Sequence, residues 1–320
     1  MGDILLDHVG HSSIHLRTRK HPGKSDGPGE ILNFSLFRPC TLVHQRDSLD
    51  HVTISSFTPS SAAVAKAAGL HARKGGMPIS SLTAYDYPTA RLLDEAGIDM
   101  LLVGDSLGMV VLGHEDTTSV TLAAMVHHTA AVRRGTINAL VVADLPIGSY
   151  ATPEMAVDSA IALAGAGADA VKLEGGAAIL PQISAILARG IPVVGHLGML
   201  PQKVREEGGY RKKGKTKVEA DTLLADARAL DAAGISLLVL ESVVPALAGE
   251  ITATITCPTI GIGAGTGTDG QIRVIHDLLG TFPWFRPAFA ECYHDGAAAV
   301  RHAAAAYLAS ITASTPTNHP

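Results

Sequence analysis

From Ser61 the chain settles into a repeat in which short runs rich in Val, Ile and Leu alternate with Ala-rich stretches whose apolar residues recur at helical spacing. The runs predict strands at "ISSLTAYD" (79–86), "MLLVGD" (100–105), "ALVVAD" (139–144), "AVKLE" (170–174), "PVVGH" (192–196), "LLVLE" (237–241), "TIGIG" (259–263) and, more weakly, "QIRVIHD" (271–277). Between them, "YPTARLLDEAG", "TPEMAVDSAIALAGAG" and "EADTLLADARALDAAG" predict amphipathic helices that end in Gly, the usual left-handed cap. Alternation of this kind belongs to the α/β class, and eight strands with helices between them fit a closed (β/α)8 TIM barrel. An open doubly wound sheet is the alternative, because periodicity does not report closure.

Residues 1–60 break the pattern. "HSSIHLRTRKHPGKSDGPGE" is polar, with neither helical nor strand period, and predicts a flexible extension ahead of a barrel over 61–310, with a short flexible tail over 311–320. Asp3, Asp7, Asp26 and Glu30 are out of place in an acid-poor transit peptide, and the apolar core of a signal peptide is missing. His8, His11, His15 and His21 are irregularly spaced without Cys or carboxylate partners, and read as solvated residues rather than metal ligands.

Composition narrows the function. An apolar fraction of 47% over 320 residues supports a large core. A net charge of -5 with interspersed signs offers no basic surface for nucleic acid or an anionic membrane, which leaves a small-molecule partner. Cys40, Cys257 and Cys292 are odd in number and scattered, so they read as small buried hydrophobes in a cytoplasmic protein, not as a disulfide framework. The longest apolar stretches, 100–113 and 137–147, are broken by Asp105 and Asp144 and are too short to span a membrane, so a soluble protein is expected.

Those interruptions carry the chemistry. Five apolar runs end in an ionisable residue: Asp105, Asp144, Glu174, His196 and Glu241. In a parallel barrel all such ends lie on one face, and Lys172, two positions before Glu174, points the same way on the pleat. Any one Asp after a strand serves equally well as a helix cap. Capping does not account for Glu174 before "GG", Glu241 before "SVVP", or a Lys within a strand. Converging buried carboxylates repel unless a cation neutralises them, and Asp105, Asp144 and Glu174, an all-oxygen set, favour Mg²⁺. "GIGAG" (261–265) reads as a tight turn before a phosphate cradle, His276 as a structural histidine ending the last strand, and "REEGGYRKKGKTK" (205–217) as either a solvated loop or a mobile lid.

At these residues the chain resembles the ketopantoate hydroxymethyltransferase family of the phosphoenolpyruvate mutase and isocitrate lyase superfamily. The resemblance rests on "LTAYDYPTARLLDEAGID", "LLVGDSLGMVVLGHEDT", "HHTAAVRRG", "VVADLPIGSYATPE", "AVKLEGG", "VVGHLGMLPQ", "GGYRKKGK", "LLVLESVVP" and "PTIGIGAGTGTDGQIRVIHDLLG", in family order over residues 62 to 308. It implies transfer of a hydroxymethyl group from 5,10-methylenetetrahydrofolate to 3-methyl-2-oxobutanoate through a metal-stabilised enolate. Residue by residue, it implies that Asp105, Asp144 and Glu174 hold the metal, that Asp105, Ser106, Asp144 and Lys172 hold the oxo acid with His196 beside them, and that Glu241 is the proton acceptor. It also implies a homo-oligomer, a decamer in the family. Residues 1–60 have no family counterpart, and "ASITASTPTNHP" lacks the usual acidic ending. A metal-dependent oxo-acid C–C lyase of the same superfamily and a non-catalytic small-molecule-binding barrel are the competing expectations.

Overall fold

The computed structural model describes residues 58–313. The polar extension up to residue 57, with His8, His11, His15, His21 and Cys40, and the last residues from 314 lie outside the described residues. Eight parallel strands form a closed barrel in sequence order: β1 (Ile79–Thr83), β2 (Met100–Val103), β3 (Leu140–Asp144), β4 (Ala170–Glu174), β5 (Val193–Gly198), β6 (Leu237–Glu241), β7 (Thr259–Ile262) and β8 (Gly270–Arg273). Closure is made by β1 pairing with β8 in the register Ile79↔Gly270, which removes the open doubly wound alternative.

The helices are α1 (Ser61–His71), α2 (Tyr87–Glu95), α3 (Leu107–Val110), α4 (Leu122–Gly135), α5 (Pro153–Gly165), α6 (Leu180–Ala188), α7 (Lys217–Ala232), α8 (Pro245–Thr254), α9 (Ile275–Leu279) and α10 (Gly296–Ala313). Local chemistry fixes where several of them begin. Ser60, Asp86, Thr121, Thr152 and Thr216 each precede a helix and accept from the backbone N–H three residues on, at 2.8–3.2 Å. The cap at Asp86 explains why β1 stops at Thr83 instead of running to 86: its carboxylate is committed to starting α2.

The pleat divides each strand between two cores. Leu101, Val103, Val141, Ala143, Val171, Leu173, Leu238 and Leu240 pack outward against the helices. Met100, Leu102, Leu140, Val142, Ala170, Val194, Leu237, Val239, Ile260 and Ile272 fill the barrel interior, and Ala67 and Leu70 of α1 join this inner cluster beside Ile79. Helix α1 therefore packs on the floor of the barrel. Its Ala-rich sequence has little amphipathic contrast, which is why the periodicity did not single it out.

Candidate active site

The interior parity, followed upward, leads to the polar residues. Leu140 and Val142 are succeeded by Asp144, Ala170 by Lys172 and Glu174, Val194 by His196, and Leu237 and Val239 by Glu241. Neighbouring strands bring these into lateral register, Asp144 beside Lys172 and Glu174 beside His196. Asp105 and Ser106 stand in the turn between β2 and α3. Asp105, Asp144, Lys172, Glu174 and His196 are no more than 5% exposed, so all the strand-end residues except Glu241 are removed from water.

Each carboxylate has one oxygen held by the protein. Asp105 Oδ2 accepts from Gln202 Nε2 at 2.8 Å, Glu174 Oε2 from the Gln202 backbone N–H at 3.1 Å, and Asp144 Oδ2 from the Asp105 backbone N–H at 3.1 Å. On the other side, Asp144 Oδ1 and Glu174 Oε1 are buried without a hydrogen-bond donor. Asp144 Oδ1 does lie 3.1 Å from Lys172 Nζ, an ion pair whose alignment is not that of a hydrogen bond. Lys172 Nζ is also 3.2 Å from His196 Nδ1. An ammonium has no acceptor, so Nδ1 of the neutral ring accepts and its proton sits on Nε2, 3.3 Å from Glu241 Oε2. Glu174 Oε1 lies 3.5 Å from the same Nδ1.

The electrostatics follow from this crowding. Burial, with Asp144 and Glu174 close by, pushes the Asp105 carboxyl well above the usual aspartate range, and Lys172 and Gln202 offset only part of it. Burial likewise raises Asp144 against the pull of Lys172. Burial opposes the charge on Glu174, but His196 in its protonated form, Lys172 and the Gln202 N–H outweigh it and hold the carboxyl low. Lys172 is buried too, yet Asp144, Glu174 and Asp105 together keep its ammonium above the ordinary lysine range. Burial and Lys172 oppose a second proton on His196, but Glu174 and Glu241 prevail and raise its proton affinity. As the side chains stand, no three His, Cys, Asp or Glu groups among the described residues close into a metal-holding set. The donor set nonetheless fits a hard divalent cation: three buried carboxylates share one lysine, and two carboxylate oxygens lack donors.

Above the cluster opens a cavity of about 370 Å³. Glu241 and Ser106 face it from the barrel side, Phe282, Phe285 and Phe289 form an aromatic wall, and Arg211 and Lys212 contribute cations. Glu241 is thus the one strand-end group shared by the buried cluster and the cavity, with its side chain 15% exposed. Its placement has a backbone cause. Gly198 has φ of 101°, and a Cβ there would collide with the Glu241 carbonyl, so only glycine lets β5 leave across β6 at this point. The next residue, Ser242, holds φ at 50°, the one non-glycine residue with positive φ among those described.

The 205–217 segment reaches the site. Lys213 N–H donates to Ser242 O at 2.8 Å and Lys213 O accepts from Val244 at 3.0 Å, so the segment is tied to the chain just beyond β6 while Tyr210 lines the cavity. Ser106 Oγ is 2.8 Å from the Tyr85 hydroxyl, which is buried beneath it. The expectation that His276 ends a strand is corrected: β8 stops at Arg273, Thr83 Oγ1 accepts the Ile275 N–H at 3.0 Å, and His276 lies in α9 with its ring 5.5 Å from that of Tyr85. In "GIGAG", Gly263 has φ of 61° and a Cβ there would come within 2.8 Å of the Phe289 ring, so tight backbone packing accounts for that glycine. Sequence reasoning missed Gln202, Tyr150, Tyr85 and the aromatic wall. Only Gln202 left a trace, as the polar residue closing the otherwise apolar "GMLPQ" after β5.

Comparison with known proteins gives the family. A family model described as ketopantoate hydroxymethyltransferase matches residues 64–317. The 3-methyl-2-oxobutanoate hydroxymethyltransferase of Ignicoccus hospitalis is 54% identical over 223 residues, which cover 69% of this chain and 84% of that one. Its namesake in Thiobacillus denitrificans is 50% identical over 240 residues, 75% of this chain and 91% of that one. Among solved structures, 2,3-dimethylmalate lyase, a PEP mutase/isocitrate lyase superfamily member, superposes with a TM-score of 0.52 at 19% identity, covering 67% of this chain and 80% of its own. Phosphoenolpyruvate phosphomutase from Streptomyces platensis subsp. rosaceus gives 0.53 at 15% identity, over 67% and 82%. At such identities the solved structures show the fold alone, whereas the relatives near 50% show the family. The chain belongs to the ketopantoate hydroxymethyltransferase family.

Proposed function

We propose that this chain transfers a one-carbon unit from 5,10-methylenetetrahydrofolate to C3 of 3-methyl-2-oxobutanoate, with Glu241 as the base. The observation that carries the reading is the position of Glu241, which lines the cavity while its Oε2 lies 3.3 Å from His196 Nε2 at the edge of the buried cluster. With Oε2 turned toward His196, Oε1 is the oxygen free to take the C3 proton. Lys172 supplies a fixed positive charge for the oxo-acid oxygens, and Ser106, held by the Tyr85 hydroxyl, offers a donor at the cavity floor. Asp105, Asp144 and Glu174 would hold a divalent cation such as Mg²⁺, which when bound supplies Lewis-acid stabilisation of the charge developing on those oxygens.

The C3 carbanion, delocalised as its enolate, forms a C–C bond to the methylene carbon as the first of that carbon's two C–N bonds breaks; the second breaks as a solvent water gives its hydroxyl to the carbon, and tetrahydrofolate leaves with its two freed nitrogens carrying the proton removed from C3 and the remaining proton of the water. The cavity supports this co-substrate, because Phe282, Phe285 and Phe289 suit a planar heteroaromatic ring and Arg211 and Lys212 suit its carboxylate tail. The test is exchange of the C3 hydrogen of 3-methyl-2-oxobutanoate in deuterium oxide with Mg²⁺ present. Wild-type protein exchanges it without folate, and Glu241→Gln slows exchange by about a hundredfold or more, the size of a lost general base. A folded Glu241→Gln protein exchanging at the wild-type rate would refute the assignment.

A further inference from the structure

Gln202 is 4% exposed and makes four hydrogen bonds, each with a partner in or beside the carboxylate cluster. Its amide nitrogen donates to Asp105 Oδ2 at 2.8 Å and to the Leu145 carbonyl at 3.0 Å. Its amide oxygen accepts from the Tyr150 hydroxyl at 2.6 Å, and its backbone N–H donates to Glu174 Oε2 at 3.1 Å. One residue thereby grips two carboxylates from different strands, one through its side chain and one through its main chain.

The orientation of the amide is decided by its partners. The Leu145 carbonyl is an acceptor whatever the charge on Asp105, so the NH₂ must face it. A flipped amide would set its oxygen against that carbonyl and the Asp105 carboxylate, and would turn the NH₂ toward the Tyr150 hydroxyl. The Tyr150 proton therefore locks the amide in the donating orientation. The backbone grip depends on local chain geometry: β5 ends at Gly198, and Pro201 starts a short 3₁₀ turn that brings the Gln202 N–H under Glu174.

We propose that Gln202, locked by Tyr150, is the positioning residue of the divalent-cation site: it fixes one oxygen of Asp105 and one of Glu174 so that the remaining oxygens face a common ion. Nothing in the comparisons assigns a role to either residue, and the inference rests on the reading of Asp105, Asp144 and Glu174 as cation ligands. Tyr150 then acts only through Gln202, which gives the pair a signature that separate packing roles would not share.

The test is Mn²⁺ binding to the full chain, followed by electron paramagnetic resonance without substrate, alongside thermal melting. Gln202→Met keeps length and the backbone N–H but removes the amide; its Mn²⁺ Kd is expected to rise about 10–100-fold, the usual effect of losing a group that orients a ligand. Tyr150→Phe keeps the ring and is expected to raise Kd about fivefold, the size of one hydrogen bond. In the double variant the Tyr150 effect disappears, since there is no amide left to lock. A folded Gln202→Met protein with wild-type Kd overturns the proposal, as does a Tyr150→Phe effect that adds in full. If Gln202→Met does not fold, Tyr150→Phe alone decides, and an unchanged Kd is the overturning result. Asp144→Asn separates the two assignments: wild-type Kd in that variant with a weakened Gln202→Met refutes the ligand assignment, and the reverse pattern refutes Gln202. A wild-type chain that binds no Mn²⁺ overturns both.

Discussion

Asp105→Asn is expected to stabilise the cation-free protein while abolishing its activity. The Asp105 carboxyl is driven well above the ordinary aspartate value by burial first, then by Asp144 and Glu174. Unit charges ~5 Å apart at an effective dielectric of about 20 interact by about 3 kcal/mol, so the repulsion from two carboxylates exceeds what Lys172 alone returns. Asparagine keeps an acceptor for Gln202 Nε2 and removes the charge. A surplus of about 2 kcal/mol is a reasonable size, which at roughly 2–4 °C per kcal/mol raises Tm by about 4–8 °C. The sign of the pH dependence is fixed. A carboxyl whose folded value lies above its unfolded value costs nothing while protonated in both states, and its penalty grows as pH rises above the ordinary aspartate value toward the folded value. Melting in a chelator across pH should therefore show the two proteins converging in acid and Asp105→Asn ahead at pH 8, with added Mg²⁺ raising only the wild type. Equal or lower Tm for the variant at pH 8 without cation would show that the cluster is not under electrostatic stress and that this reasoning is wrong.

Two further outcomes concern the frame around the site. Asp94, 6% exposed, accepts from the backbone N–H groups of Ile137, Asn138 and Ala139 at 3.1, 2.9 and 2.8 Å, tying α2 to the entry of β3. Asp94→Ala is expected to cost about 3 kcal/mol in urea unfolding, because the buried Ala139 N–H loses its partner; a loss under about 1 kcal/mol would refute the anchoring role. Burial alone would raise the Asp94 carboxyl, but those N–H donors outweigh it and lower it, so its contribution is present above the ordinary aspartate range and is lost as pH falls through the lower folded value. Deleting residues 1–58 is expected to leave Tm and turnover near those of the full chain, because the segment has no periodic apolar face and the family match starts at residue 64. A large fall in either would show that the segment packs on the barrel.

The barrel and its polar rim were legible because both follow from one period. A strand that buries both faces reads as apolar throughout, so the residue types that interrupt "LVVAD", "AVKLE" and "LLVLE" stand out, and their parity alone assigns them to the interior. What was illegible depends on contacts with no local period. Helix α1 is Ala-rich and gives little amphipathic signal, and "QIRVIHD" has strand propensity throughout but is divided where Thr83 captures the Ile275 N–H. Gln202 is in a turn, where its neighbours in sequence say nothing about Asp105, 97 positions away. The aromatic wall at 282–289 belongs to an irregular segment whose placement comes only from tertiary packing.

The same parity explains how the fold tolerates its own site. Repelling carboxylates at the top of β3 and β4 oppose folding, yet the same strands carry Leu140, Val142 and Ala170 one or two pleats below, fully buried against Met100, Leu237 and Ile260 and closed off by α1. Stability is thus concentrated in the lower half, where side chains are apolar and tightly packed, and on the proposed function the upper half is left free to hold charge in an arrangement that a cation and an anionic substrate would favour. Ser242 fits this division. The strained φ falls directly after Glu241, where the chain beyond β6 must turn to receive Lys213 and keep the carboxylate at the cavity edge. A carboxylate placed one residue lower, at Leu240, would point outward among the helices, and one placed in the loop would lose its contact with His196; the end of the strand is the position that satisfies both demands.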